Sequence, residues 1–490
     1  MQPGQNLTSD TARRVNRTPL ERGSQNSAQD GARYNHEVTK YHVENFGCRA
    51  TQADGAALER QLQERGLDRS PSATEAEVVV LNTCTVTAAA DQDARAAIRR
   101  IHRENPEAQI MVTGCYAQRA PQEIAQLPGV SAVIGNSHKH RLAEFVQIGA
   151  QQTSDEMYSG CPTPPRVPDE WDRPNVIVGD IFAHTELAAA PVFDAETAEK
   201  TRPNLKVQDG CNNRCSFCII PYVRGKSRSL KLENVIGEVN ALVAGGYREI
   251  VLSGINLGRW GRELTPRTNF VAMLQAILER TTIEKLRISS VEPMDWTNEL
   301  IELVASSTRI CKHAHVPLQS GNDKVLRAMH RKYRPWHYAD RIGRIRRAMP
   351  EAAIGADVMV GFPSETDLDF AETRAFIERM PFTYLHVFTY SSRPGTPSAE
   401  MPNQVPVQVA RERNRILREL AAEKKRAFMQ SFVGQELEAI TLTHFDGEYT
   451  EALTDNYLKL RVRGEHEANQ QARVAIETVQ FDALVGSFSA

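Results

Sequence analysis

Short apolar runs alternate with longer amphipathic stretches in the first part of the chain, beginning near residue 36. The apolar runs are predicted to be strands and comprise VTKYHVENFGC, AEVVVLNTC and AQIMVTGC. The stretches between them predict helices over residues 57–65 and 91–103. Strands that alternate with helices form parallel sheets. Residues 36–145 are therefore predicted to form a parallel α/β domain.

A second and longer alternation begins near Asn204 and contains six strand candidates, which are NLKVQDG, REIVLSGINLG, KLRISSVEP, HAHVPLQSG, AIGADVMVGFP and YLHVFTYS. Six βα units suit a partial (β/α)6 barrel over residues 201–430 better than a complete eightfold barrel. A charged helix over residues 408–428 ends this part. Short alternating strands then predict a small β-barrel over residues 431–490.

Two segments lack this alternation. Residues 1–35 contain few apolar side chains and are expected to be a disordered tail. Residues 146–200 are rich in Pro, Ala and acidic residues and are expected to be a linker, in which Cys161 has no predicted partner.

Charge and hydropathy exclude some classes of protein. There is no apolar run of the roughly 20 residues that a membrane helix needs, and the N-terminus lacks the apolar core of a secretory signal. We therefore expect a cytoplasmic protein with reduced thiols and no membrane partner. The net charge of -2 provides no overall attraction for nucleic acid, so any RNA must bind to local basic patches.

Three cysteines share one short loop with the spacing C-x3-C-x2-C, namely Cys211, Cys215 and Cys218. Three thiolates can hold three irons of a [4Fe-4S] cluster and leave the fourth iron open to S-adenosylmethionine. One electron from such a cluster would then break a carbon–sulfur bond of the cofactor and release an adenosyl radical. The alternative is a structural zinc site, which would need a fourth ligand from elsewhere in the chain.

Three further cysteines share a context although they are far apart in sequence. Cys48, Cys84 and Cys115 each end a predicted strand and precede a predicted helix. The carboxyl ends of parallel strands lie on one edge of a sheet, so these thiols are expected to converge. A second three-thiolate [4Fe-4S] cluster is the hypothesis that follows, whereas each cysteine taken alone would be an ordinary buried thiol.

With both cysteine sets in this order, the chain resembles the radical S-adenosylmethionine methylthiotransferases over roughly residues 36–490. The motifs that carry the resemblance are VQDGCNNRCSFCIIPYVRG, LSGINLGRWGREL, RISSVEP, HVPLQSGNDKVLRAMHRKY, DVMVGFPSET and HVFTYSSRPGTPSA. The resemblance implies an N-terminal methylthiotransferase domain, a partial barrel and a C-terminal TRAM domain. It also implies that Cys211, Cys215 and Cys218 hold the radical-generating cluster, and that the other three cysteines hold an auxiliary cluster that handles sulfur.

The segments SGINLGRWGR, SSVEP and MHRKY look closest to the branch that acts on N6-threonylcarbamoyladenosine beside the tRNA anticodon, which would give ms2t6A. The expected partners are the tRNA anticodon loop and an electron donor of the flavodoxin or ferredoxin type. Two alternatives keep the chemistry but change the substrate, to isopentenyl-adenosine in tRNA or to an aspartate of a ribosomal protein. An alternative of another class is a non-catalytic zinc and RNA-binding protein.

Further residues are weaker candidates for binding. Phe217 beside the cluster loop, Gly246 and Glu249 where related barrels have a glycine-rich edge, and Gln319 and Ser320 at a strand end are candidate cofactor contacts. Each has an ordinary structural explanation as wall, helix cap or satisfied polar group.

A basic stretch with interleaved aromatic residues is a candidate RNA-binding surface. Its candidate contacts are Arg331, Lys332 and Arg334, and its aromatic residues are Tyr333, Trp336 and Tyr338. The alternative is a solvated helix face. The C-terminal segment is acidic from Gln435 onwards, which disfavours contact with phosphates there.

Overall fold

A computed structural model describes residues 38–146, 174–184, 187 and 201–489. The predicted tail, Cys161 and most of the predicted linker lie outside these residues. Within them, no helix is both long enough and apolar enough to cross a membrane.

The N-terminal part is a six-stranded parallel sheet with the strand order β2-β1-β3-β4-β5-β6. Its elements are β1 (Lys40–Asn45), α1 (Arg49–Glu64), β2 (Asp68–Arg69), β3 (Val78–Thr83), α2 (Ala88–Glu104), β4 (Gln109–Gly114), α3 (Cys115–Arg119), α4 (Pro121–Ala125), β5 (Val130–Gly135), a 3-10 segment (Lys139–Phe145) and β6 (Asn175–Ile177).

Central strands of this sheet are covered on both faces, as in other parallel sheets. In β3, Val79 and Leu81 pack into one apolar cluster, whereas Val78 and Val80 pack into another on the opposite face. Helix α1 begins eight residues earlier than the sequence predicts, because its first two turns carry small and polar residues that give no apolar signal. Strand β6 falls inside the predicted linker, so that segment has regular structure that its composition does not reveal.

The middle part is the predicted partial barrel of six parallel strands. These are β7 (Asn204–Asp209), β9 (Glu249–Gly254), β10 (Lys285–Ile288), β11 (His313–His315), β12 (Ala353–Val360) and β13 (Tyr384–Thr389). A parallel bridge between Leu286 and Ile310 joins the half that ends in β10 to the half that begins with β11. The short strand β8 (Arg228–Ser229) pairs antiparallel with β7.

The helices of this part are α5 (Ile220–Arg224), α6 (Leu232–Ala244), α7 (Phe270–Arg280), α8 (Asn298–Ser306), α9 (Asp323–Ala328), α10 (Pro335–Ala348), α11 (Asp367–Arg379) and α12 (Val407–Gln430). All of these helices except α5 pack on the strands in one large apolar cluster. Because strands in such a barrel are parallel, all their carboxyl ends lie on one face.

The C-terminal part is the predicted small β-barrel, closed in the order β14-β15-β16-β18-β17. Its strands are β14 (Glu436–Phe445), β15 (Tyr449–Thr454), β16 (Lys459–Arg463), β17 (Gln471–Gln480) and β18 (Ala483–Phe488). It contacts the amino ends of the strands in the larger barrel, where Lys285 pairs with Glu438 at 2.7 Å and Arg287 donates to the carbonyl of Asp455 at 3.0 Å. It therefore lies against the face opposite to the carboxyl ends.

Candidate active site

The first cysteine set occupies the carboxyl edge of the N-terminal sheet. Cys48 precedes α1 as its N-cap, Cys84 follows β3, and Cys115 is the first residue of α3 directly after β4. Strands β1, β3 and β4 are consecutive neighbours in the sheet. Cys84 and Cys115 are buried, whereas Cys48 is exposed. The convergence that the strand pattern predicts is thus present.

Two glycines next to these cysteines allow the strand ends to approach closely. Gly47 has a φ of +110°, and a Cβ atom there would lie 2.6 Å from the Cβ of Cys84. Gly114 has a φ of +100°, and a Cβ atom there would collide with the carbonyl oxygen of Thr83. Any side chain at either position would be strained and would push the strand ends apart.

One thiol of this set, that of Cys84, is poorly suited to ionise unless a metal binds it. Burial, followed by the charges of Cys115 and Cys48, raises the pKa of Cys84 to about 12. A bound iron reverses this tendency, since a metal-coordinating thiol is deprotonated. In the described part of the chain no group of three Cys, His, Asp or Glu side chains could hold one metal ion. A four-iron cluster does not need such a group, because its thiolates bind separate irons.

The second cysteine set lies at the carboxyl face of the partial barrel, in the loop after β7. Asn256 donates to the Sγ of Cys211 at 3.5 Å, and the backbone N–H of Asn213 donates to the same sulfur at 3.4 Å. Burial and the charge of Cys215 raise the pKa of Cys218 to about 12. The Cys218 thiol therefore needs a metal to be a thiolate at neutral pH.

The barrel holds this loop in place through backbone contacts. The N–H of Ser216 donates to the carbonyl of Met329 at 3.2 Å, and its hydroxyl donates to the carbonyl of Ala328 at 2.8 Å. The carbonyl of Ser216 accepts from the N–H of Ser398 at 2.9 Å. The loop is therefore anchored both to the end of α9 and to the segment around Ser398.

Helix α5 connects the two cysteine sets. It begins two residues after Cys218, and Ile219 and Val223 pack against Cys115 of the other set. Asn136, which follows β5, donates to the Sγ of Cys115 at 3.5 Å and to the carbonyl of Val223 at 2.8 Å. One five-residue helix thus contacts a cysteine of the first set and directly follows the second.

A buried ionic cluster lies beside this helix. Asp54 of α1 accepts from Arg224 at 2.9 Å, from Lys139 at 3.0 Å and from Lys206. Asp209 accepts from Arg224 at 3.0 Å and from Lys206 at 3.2 Å. Burial alone would raise the pKa of Asp54, but the surrounding cations outweigh it and hold this pKa well below its usual range. The cluster joins the sheet domain to the barrel.

Comparisons with known proteins agree with this arrangement. Residues 40–135 match the uncharacterized protein family UPF0004, and residues 205–377 match the radical SAM superfamily. A threonylcarbamoyladenosine tRNA methylthiotransferase MtaB of Aquifex aeolicus is 36% identical over 438 residues, which cover 89% of this chain and 100% of the relative. The MtaB protein of Bacillus subtilis is 37% identical and covers 86% of this chain and 89% of its own. The chain belongs to the radical S-adenosylmethionine methylthiotransferases.

Within this methylthiotransferase family the chain lies on the MtaB branch. A tRNA-2-methylthio-N(6)-dimethylallyladenosine synthase of Thermobifida fusca is 34% identical, with 82% of this chain and 77% of the relative covered. The radical S-adenosylmethionine methyltransferase TsrM of Kitasatospora setae shares the fold at a TM-score of 0.52 and 16% identity, over 74% of this chain and 77% of that one. An iron–sulfur cluster and S-adenosylmethionine are the cofactors of the methylthiotransferase. The non-catalytic alternative does not hold, because the family consists of enzymes.

The structure separates two of the predicted cofactor contacts from the cluster loop. Glu249 is the first residue of β9 and is buried at the amino end of the barrel, where it pairs with Arg287 at 2.7 Å. Gly246 precedes it with a φ of +86°, and its carbonyl accepts from Asn469 of the small barrel at 2.8 Å. Because Cys211 follows the carboxyl end of β7, neither residue lies at the cofactor face. Their prediction as cofactor contacts is wrong.

The other predicted cofactor contacts do lie near the carboxyl face. Phe217 is in the cluster loop and packs on the apolar group that contains Met329 and Phe362. Gln319 follows β11 with a φ of +66° and bridges to Val358 of β12. Ser320 is fully buried, and its hydroxyl lies 3.0 Å from that of Thr373 in α11. Ser320 is therefore a buried core residue whose hydroxyl already has a hydrogen-bond partner.

Arg331 is part of the cluster site and not of an RNA-binding surface. It is 7% exposed, and its Nη1 donates to the Sγ of Cys215 at 3.3 Å while its Nη2 pairs with Glu292. The prediction that Arg331 contacts RNA is therefore wrong. Lys332 is exposed, and Arg334 is partly buried and pairs with Asp323 at 3.0 Å.

The aromatic residues of the basic stretch are mostly buried. Tyr333 donates to the carbonyl of Leu318 at 2.7 Å, and Tyr338 donates to that of Val316 at 2.7 Å. Only Trp336 of the three is exposed, at 58%. The interleaving that suggested base stacking is thus largely core packing, and of these three rings only that of Trp336 is exposed.

Sequence reasoning missed Arg224, Asp54 and Asn136. A signal did exist for Arg224, because a charged residue ends the otherwise apolar segment CIIPYV directly after the cluster loop. Asn136 ends the run VIGN after β5, which is the same strand-end position that marked the cysteines. Asp54 carried no such signal, since its burial depends on how α1 meets the barrel.

Proposed function

We propose that this chain inserts a methylthio group at C2 of N6-threonylcarbamoyladenosine 37, next to the tRNA anticodon, and so produces ms2t6A. The observation that carries the proposal is the pair of three-cysteine sets that meet at α5, in a chain whose MtaB relatives match it over most of its length. In this proposal one set takes part in radical formation and the other handles the sulfur that is transferred.

The proposal divides the work between the two sets. Cys211, Cys215 and Cys218 hold the radical-generating cluster, and Cys48, Cys84 and Cys115 hold an auxiliary [4Fe-4S] cluster that handles sulfur. When bound, the two clusters supply an electron for cleavage of S-adenosylmethionine and a site for the sulfur that is transferred. The chain's own residues support this division, because Asn256 donates to Cys211, Arg331 donates to Cys215 and Asn136 donates to Cys115.

The cofactor and the RNA require different surfaces. We assign S-adenosylmethionine to the carboxyl face near Phe217 and Gln319, beside the cluster loop. The anticodon loop is assigned to the exposed part of the basic stretch, where Lys332 offers a charge to phosphate and Trp336 offers a stacking face. The electron donor is proposed to be of the flavodoxin or ferredoxin type, acting in the cytoplasm.

Nucleoside mass spectrometry of tRNA from a deletion strain tests the substrate. The methylthio form of threonylcarbamoyladenosine is expected to disappear and to return when the gene is restored. If this nucleoside persists while the methylthio form of isopentenyl-adenosine disappears, the substrate assignment is wrong. If both persist and a ribosomal protein loses a methylthio group, the RNA substrate itself is wrong.

Cysteine variants test the division of work. Cys215→Ala is expected to abolish cleavage of S-adenosylmethionine, whereas Cys84→Ala is expected to retain cleavage and lose methylthio insertion. Cys311→Ala is the matched control for Cys84→Ala, because Cys311 is also a buried thiol but lies away from both sets, with its N–H donating to the carbonyl of Leu286 in β10 at 3.0 Å. Retained insertion in Cys84→Ala would remove the auxiliary cluster from the mechanism.

A further inference from the structure

The ionic cluster beside α5 carries more positive than negative charge. Four basic side chains face two carboxylates in it, namely Lys139, Lys206, Arg224 and Arg228 against Asp54 and Asp209. All six side chains are at most 12% exposed. An uncompensated buried charge is costly, so this surplus calls for an anion nearby.

The structure leaves a hydrogen-bond donor of this cluster unused. The Nη atoms of Arg224 donate to Asp209 and Asp54, but its buried Nε has no acceptor among the described residues. The side chain is 2% exposed, so bulk water does not supply the missing acceptor. A buried donor without a partner carries a free-energy cost of desolvation. An acceptor that binds with the cofactor would remove this cost.

The first cysteine set lies where that anion is needed. Burial lowers the pKa of the Arg224 guanidinium, but the charge of Asp209, followed by those of Cys115, Asp54 and Cys48, outweighs burial and holds this pKa well above the ordinary value. Asn136 adds a direct link, since its Nδ2 donates both to Cys115 and to the carbonyl next to Arg224, that of Val223. Three iron-bound thiolates would supply the negative charge that the ionic cluster lacks.

We propose that Arg224 and Asn136 are positioning residues of the auxiliary cluster, Arg224 as its buried counter-charge and Asn136 as the link that fixes Cys115 against α5. This inference rests on the proposed function, because it assumes that Cys48, Cys84 and Cys115 bind that cluster. If Arg224 served only to pair Asp54 with Asp209, its loss would change stability and leave the electronic properties of the cluster unaltered.

A background without the radical-generating cluster isolates the effect. The full-length chain with Cys211→Ala, Cys215→Ala and Cys218→Ala is reconstituted anaerobically, and its iron, its sulfide and the midpoint potential of its cluster are measured by electron paramagnetic resonance. Reduction adds negative charge, so a nearby cation favours the reduced state. Arg224→Gln is expected to decrease the equilibrium constant for reduction at least tenfold, which is about 59 mV for one electron. The midpoint potential of Arg224→Lys is expected to stay closer to that of the parent.

Arg413→Gln is the matched control, because Arg413 is a similarly buried arginine that pairs with Glu365 and Asp367, away from both cysteine sets. Its midpoint potential is expected to equal that of the parent. Asn136→Asp, which places a negative charge next to Cys115, is expected to lower the potential even if Arg224→Gln does not fold. Potentials equal to the parent in Asn136→Asp, or in a folded Arg224→Gln, would overturn the inference. A parent that binds no iron would instead overturn the auxiliary cluster of the proposed function.

Discussion

Replacing Asp54 by Asn tests how strongly the ionic cluster holds the sheet domain on the barrel. Asp54 is 3% exposed and accepts from three cations, two of which, Lys206 and Arg224, belong to the barrel. The substitution keeps the shape of the side chain but leaves these cations with one carboxylate fewer. Removal of one partner of a buried ion pair costs about 3–5 kcal/mol. We expect a loss at the lower end, because Asp209 still pairs with Lys206 and Arg224.

Hydrogen–deuterium exchange of the α1 amides measures this loss where it occurs. A loss of about 3 kcal/mol in the free energy of local opening corresponds to more than a hundredfold faster exchange, since about 1.4 kcal/mol is a factor of ten. Asp367→Asn is the control, because Asp367 also pairs with a buried arginine, Arg413, but its own side chain is 95% exposed. Such an exposed carboxylate contributes at most about 1 kcal/mol.

Equal exchange of α1 in Asp54→Asn and in the wild type would refute this reasoning. It would mean that apolar contacts alone hold α1 on the barrel, and that the ionic cluster contributes nothing net to docking. Faster exchange throughout the molecule would also contradict a local role, because the effect is expected to be confined to the elements that Asp54 joins.

The remaining predictions concern pH and the two cysteine sets. The folded-state pKa of Asp54 is lowered, so the stabilisation that this carboxylate provides is present above the unfolded pKa of about 3.9 and is lost as pH falls through the folded value. The difference in α1 exchange between Asp54→Asn and the wild type should therefore be constant from pH 6 to 8. A difference that vanishes within that range would contradict this prediction. Arg331→Ala should slow cleavage of S-adenosylmethionine at least tenfold, measured as release of 5′-deoxyadenosine, because Arg331 donates to Cys215. Lys332→Ala should leave this cleavage unchanged and weaken tRNA binding at low salt. Equal cleavage rates in the two variants would count against a role for the contact between Arg331 and Cys215. Gly47→Ala should reduce bound iron by about half, because its Cβ would meet Cys84, and a full iron content would show that the strand ends can move apart.

The sequence predicted the strands and the cysteine sets because both have local signals. Continuous apolar runs identify buried parallel strands, and the strand-to-helix position of Cys48, Cys84 and Cys115 follows from the order of residues alone. Strand counting also gave the partial barrel, since each unit repeats the same short pattern. These features depend on neighbours in sequence, so one chain suffices to find them.

Local signals failed where small or polar residues form regular structure. The first turns of α1 and the strand β6 have no apolar pattern, and tertiary contacts stabilise them instead. The same failure affected the basic stretch, in which Tyr333 and Tyr338 look exposed beside charges but donate to carbonyls of the core. Burial of a side chain depends on the packing of other elements, which charge and spacing do not encode.

The sequence by itself determined that two cysteine sets lie at the carboxyl ends of parallel strands, because strand polarity is fixed by the direction of the chain. Only the tertiary structure decided how the two sets meet. The packing of Val223 on Cys115, the hydrogen bond from Asn136 to the carbonyl of Val223 and the pairing of Asp54 with Arg224 join residues that are 87 to 170 positions apart. Such contacts arise when the N-terminal sheet packs against the barrel, and no local pattern of residues specifies that packing.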